Sequence, residues 1–237
     1  MNQRGEARLA LHRVAVHIVA RARTQACGRF SLRVTPSGFG TPDMGENGRR
    51  VRVSGNQLVV ESDAAGAAAA LSMPINGSTL AALAEFAGLD LSKPLDVGHD
   101  TPSLGDVDAR IDLDPVGAEA TSRSHGLIAA ILDQVLAGLL ATATPTLPRL
   151  WPEHFDVAIE AQAHPERRVN LGGSPGDGFS EEPYLYVAPW TADRPGNPGF
   201  WNVPFGAARA LNQAGDAPTT IMASGVGFLL DGYRRLV

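Results

Sequence analysis

Three short runs between residues 153 and 190 alternate apolar and polar positions with a period of two. In 153–160, Phe155, Val157 and Ile159 alternate with His154, Asp156 and Glu160. In 168–171, Val169 and Leu171 alternate with Arg168 and Asn170, and in 184–187, Leu185 and Val187 alternate with Tyr184 and Tyr186. A period of two sends successive side chains to opposite faces of a strand. The connection AQAHPE suits a hairpin, and SPGDGFSEEP is a longer loop of turn formers. If pairing keeps parity, the odd positions form an apolar face. The even positions, His154, Asp156, Glu160, Arg168, Asn170, Tyr184 and Tyr186, then form a polar one.

Other stretches follow helical spacing. Residues 5–23 form an amphipathic helix, with Leu11, Val14, Ala15, Ile18 and Ala22 inward and Arg13, His17 and Arg21 outward. His12 and His17 read as surface or boundary residues. Residues 78–87 form a short helix with Ser78 as N-cap and Gly88 as stop. Residues 122–141 form the most apolar helix, and 221–236 form the last. A strand at 29–35 ends at Pro36, PSGFGTP is a turn, and 51–61 is a hairpin. The pattern predicts an α+β fold with one mostly antiparallel sheet of about six strands, covered by helices on one face. It predicts a single domain, 1–237. Two lobes, 1–91 and 122–237, joined by an acidic connector at 92–121, stay open as the alternative.

Composition narrows the class. The 237 residues are 44% hydrophobic and 19% charged, values of a globular chain. A net charge of −5 and a pI near 5.7 argue against a nucleic-acid partner, which would call for a basic stripe. One cysteine, Cys27, excludes an internal disulfide and fits a reducing cytoplasm. The apolar segment 126–143 carries Asp133 and Gln134, so no membrane span is expected. DVDARIDLD, at 106–114, alternates aspartates but lacks the glycine and glutamate of a calcium loop, and reads as a solvated connector. PSGFGTP lacks the lysine of a phosphate-cradling loop.

The candidate chemistry gathers late in the chain. His154, Asp156 and Glu182 are the candidate catalytic residues: a histidine oriented by a carboxylate can act as acid or base, and the set also suits a divalent cation. Whether a metal binds is left undecided by these residues, and no pattern names a cofactor. Arg168, Asn170, Ser174, Asp177, Tyr184, Tyr186, Trp190, Trp201 and Asn202 are the candidate ligand contacts. All three tryptophans follow residue 150. Aromatic walls beside a few directed polar groups are what a small-molecule site requires.

The blocks LWPEHFD, SPGD, EPYLYVAPW and FWNVPFGA, with GRFSLRVTPSGFGTP earlier, resemble an uncharacterised bacterial protein family, a domain of unknown function. The resemblance covers both halves of the chain. It implies a soluble single-domain protein and supplies no catalytic residues. Three functional readings follow: a protein binding a small molecule over the polar face; an enzyme, such as a metal-assisted hydrolase using His154; and a homodimeric interaction protein. The first is favoured, because no nucleophile elbow, P-loop or dinucleotide fingerprint is present.

Overall fold

The computed structural model describes residues 3–45, 48–62, 69–211 and 217–237. The chain divides into two compact units, Met1–Gly126 with Leu150–Phe155, and Leu127–Arg149 with Asp156–Val237. Among the described residues, no helix is long and apolar enough to cross a membrane.

The first unit opens with α1 (Gln3–Val14), a π-helical turn (Ala15–Ala20) and α2 (Arg21–Cys27). Leu11, Val14, Ile18 and Ala22 are buried, as the periodicity requires. The expected polar face is not on the surface, however. His17 and Arg21 are 7% and 3% exposed. Loop carbonyls explain the difference. Arg21 Nη1 donates to Lys93 O at 2.6 Å and Asp90 O at 3.1 Å, and His17 Nε2 lies 2.8 Å from Pro102 O. A buried guanidinium is tolerated when it is hydrogen-bonded, so the segment after residue 88 packs on this helix instead of running free. Strands β1 (Arg33–Thr35), β2 (Gly38–Gly40), β3 (Arg50–Ser54), β4 (Gln57–Ser62) and β5 (Ala69–Pro74) form an antiparallel sheet in sequence order. The expected turn PSGFGTP therefore contains a strand. At β2 the backbones approach so closely that a Cβ on Gly38 would lie 2.2 Å from Val53 O. Helix α3 (Leu80–Phe86) is capped by Thr79, not Ser78: the Thr79 hydroxyl accepts from Ala82 N at 3.1 Å.

Helix α4 (Pro115–Gly138) begins seven residues before the apolar pattern at 122. Asp114 caps it, accepting from Gly117 N at 2.7 Å, and Pro115 takes the first helical position. The supposed connector thus ends as a helix cap.

The second sheet runs β10-β9-β8-β7-β6, from β6 (Arg149–Trp151), β7 (Asp156–His164), β8 (Arg167–Ser174), β9 (Tyr184–Pro189) and β10 (Ala207–Ala210). The expectation of one sheet of about six strands is corrected to two antiparallel sheets of five among the described residues, within an α+β fold. The physical reason is connectivity. In both sheets each strand neighbours the next in sequence, so local turns close each meander on itself. Helix α5 (Pro218–Leu236) lies against β7, β8 and β9. Its Gly225 approaches Ile131 of α4 and Leu185, and its Gly232 approaches Val187. The odd-numbered, apolar side of this sheet is the helix-covered side.

Candidate functional site

The strand register keeps parity across the second sheet. Glu160 lies opposite Asn170, and Asn170 opposite Ala188. Ala158, Gly172, Tyr186 and Ala208 form the next cross-strand row, and Ser174, Tyr184 and Ala210 another. The even positions of β7, β8 and β9 therefore share one face. Val157, Ile159, Leu171 and Val187, at odd positions, are fully buried.

At one end of this face two phenols meet two carboxylates. The Tyr186 hydroxyl donates to Asp156 Oδ2, and the Tyr184 hydroxyl donates to Asp177 Oδ2 at 2.6 Å. Asp156 is 6% exposed, a burial that carboxylates sustain only when hydrogen-bonded. Asp177 is itself fixed by its loop, accepting from Phe179 N at 2.8 Å and Ser180 N at 3.2 Å. Ser174 is buried and its Oγ accepts from Gly176 N at 3.1 Å. Burial, then the hydrogen bond to Asp177, pushes the Tyr184 phenol well above its ordinary range, so it stays a donor. Tyr186 lies over Gly172, where a Cβ would come within 2.6 Å of its hydroxyl oxygen. Phe179 and Phe205 pack edge-on against these tyrosines.

The other end is built on Trp190. Its indole is 58% exposed, yet Nε1 donates to Asn170 Oδ1 at 2.9 Å. The Arg168 guanidinium stands 5.3 Å from the ring centroid, within cation–π range. Arg168 is in turn paired with Glu160 at 2.7 Å. Half-buried Ala188, near the end of β9, separates Tyr186 from Trp190, which follows the strand.

Comparison with models of protein families, with curated proteins and with solved structures finds no match to this chain.

The remaining candidates sit elsewhere. His154 is not on a strand, because Phe155 takes a left-handed backbone conformation (φ 56°) and its N–H returns to Trp151 O at 2.8 Å. That turn delays β7 until Asp156. His154 is exposed and its Nδ1 lies 3.3 Å from Asp100 Oδ2, within the first unit. Glu182 is exposed in the loop before β9. Trp201 donates to Pro195 O at 2.9 Å and lies under the Arg194 guanidinium. Asn202 imitates a strand: its amide donates to Ala208 O and accepts from Ala208 N, both at 2.9 Å. Among the described residues, no group of three or more His, Cys, Asp or Glu has metal-holding geometry.

Glu153 escaped the sequence reading. Its Oε2 is buried without a hydrogen-bond partner among the described residues, and burial raises its carboxyl pKa. The only sequence signal was its place beside His154, on the parity assigned to the apolar side.

Proposed function

We propose that the protein binds a small, neutral, ring-bearing molecule on the even-parity face of its second sheet. One observation carries the reading: Trp190 is exposed and held. An exposed indole left to itself samples several rotamers. Here a hydrogen bond donated to Asn170 Oδ1 and the guanidinium of Arg168 over the ring fix it before any ligand arrives. Preorganisation of this kind lowers the ordering entropy of binding.

The surroundings select the ligand class. Trp190, the first residue after β9, still bonds Arg168 O through its N–H and lies four residues from Tyr186, about 13 Å at a rise of about 3.3 Å per residue. Between them lie Ala188 and, across the strand, Asn170. The Asn170 amide nitrogen has no partner among the described residues and offers two donors. Arg168 is neutralised by Glu160, and Asp156 and Asp177 make the far end anionic, which disfavours an acidic ligand. A sugar ring or a nucleoside satisfies these demands: an apolar face to stack, and hydroxyl or carbonyl oxygens to accept from the amide.

The test is saturation-transfer NMR with a panel of monosaccharides, disaccharides and nucleosides. At least one compound should give transfer that disappears in Trp190→Ala and weakens in Asn170→Ala. Trp201→Phe should leave it intact. Absence of transfer across the panel, or transfer indifferent to Trp190→Ala, would overturn the proposal.

A further inference from the structure

The first unit carries a cleft of different chemistry. Helix α1 presents Glu6, Leu9 and Arg13 along one face, and the segment 110–112 lines the opposite wall of a cleft of about 190 Å³. That is room for about six waters at about 30 Å³ each.

The charges around this cleft are sorted. Near the start of α1, a Cβ on Gly117 would lie 3.2 Å from both Arg4 Cα and Asp114 Oδ2, so residue 114 sits at the helix N-terminal end. Near its close, Arg13 Nη2 donates to Leu104 O at 2.7 Å. The chain from 104 to 114 therefore runs antiparallel to α1. Asp112 falls towards Glu6, and Arg110 towards Arg13. One end of the cleft is acidic and the other basic, with Leu9 and Ile111 between them.

None of these four charged side chains makes an ion pair among the described residues. Both guanidiniums are nonetheless anchored. Arg13 is held on Leu104 O, and Arg110 Nη1 donates to Gly77 O at 2.8 Å. Each keeps further N–H groups for a carboxylate.

We infer that this cleft binds a short zwitterion, with its ammonium between Glu6 and Asp112 and its carboxylate between Arg13 and Arg110. The spacing sets the length. Arg110 and Asp112 are two residues apart on an extended segment, about 6.6 Å. Glu6 and Arg13 are seven residues apart on a helix, about 10 Å. An α-amino acid is too short to reach both ends. An extended dipeptide spans about 7 Å, and an ω-amino acid of similar length also qualifies.

The probe is diglycine, followed by amide chemical shifts of the full chain. Diglycine should give saturable shifts confined to residues 6–13, 77–81 and 104–112. N-acetylglycylglycine, which lacks the ammonium, and glycylglycinamide, which lacks the carboxylate, should each bind at least tenfold more weakly. Arg110→Gln should abolish the preference for diglycine over glycylglycinamide, and Asp112→Asn should reduce its preference over the acetylated analogue. Both substitutions are at exposed positions, and an unchanged spectrum away from the cleft verifies the fold. Equal binding of all three compounds would overturn the zwitterion assignment. So would the lack of saturable shifts up to roughly 20 mM, well beyond a Kd of about 1 mM.

Discussion

Lowering the pH should destabilise the first unit through His125. The side chain is fully buried, and its Nε2 lies 2.9 Å from Phe155 O, so the neutral ring carries its proton there. Nδ1 is buried without a hydrogen-bond partner among the described residues. Protonating it would create a charged donor with nothing to bond. Burial accordingly lowers the pKa from 6.5 to about 4, with a smaller contribution from His12. The sign follows from linkage. Between these two values the unfolded chain binds the proton and the folded chain does not, so stability falls as pH drops below 6.5 and levels off below about 4. With those pKa values the loss is about 2 kcal/mol at pH 5 and approaches about 3 kcal/mol at pH 4. His12 is shifted to about 4 for the same first cause and adds to the effect. Urea unfolding at pH 7 and pH 5 measures it, followed by Trp151 fluorescence in a Trp190→Phe/Trp201→Phe background. In His125→Gln, which cannot titrate, the pH 7 to pH 5 loss should shrink by about 2 kcal/mol. An unchanged loss, or a His125 ring that titrates near 6.5 by NMR, would refute the reasoning.

Two further substitutions probe the second sheet. Gly172→Ala should destabilise by about 1–3 kcal/mol through overpacking, since the new Cβ would meet Tyr186 and Val157 O at 2.6 and 2.7 Å. It should also move the Tyr186 ring resonances, and thermal unfolding with aromatic NMR reads both effects. Asn202→Ala removes two hydrogen bonds to Ala208. It should cost about 1–2 kcal/mol and speed amide exchange in β10 selectively, as seen by hydrogen–deuterium exchange.

The elements visible from sequence were those whose side chains differ between faces. Strands β7, β8 and β9 alternate charged or aromatic residues with aliphatic ones, and a one-residue slip would bury those charges, so pattern and register coincide. Strands β2 and β10 read GFG and AARA. Small side chains carry no periodic signal, and what makes these segments strands is the neighbour that pairs with them. Asp114–Pro115 was a readable cap that the surrounding aspartates disguised. The burial of His17 and Arg21 had no local signature, because their partners are carbonyls of residues 69 to 85 positions away. At the candidate face, Asp156, Tyr184 and Tyr186 were gathered correctly by parity. His154 was separated from that parity by the left-handed Phe155, a conformation that favours glycine and that nothing in a phenylalanine announces.

Phe155 has a further consequence, for synthesis on the ribosome. Its ring stacks on His12 at 5.0 Å and meets His125 and Phe39 edge-on at 4.7 and 5.3 Å, at the centre of the first unit. Yet it belongs to the six-residue segment Leu150–Phe155, which follows a stretch assigned to the second unit. The first 126 residues can leave the exit tunnel without the ring that fills their core. Completion of the N-terminal unit therefore waits for later translation, and a released chain ending at Arg149 should be more protease-sensitive in its first 126 residues than the full chain.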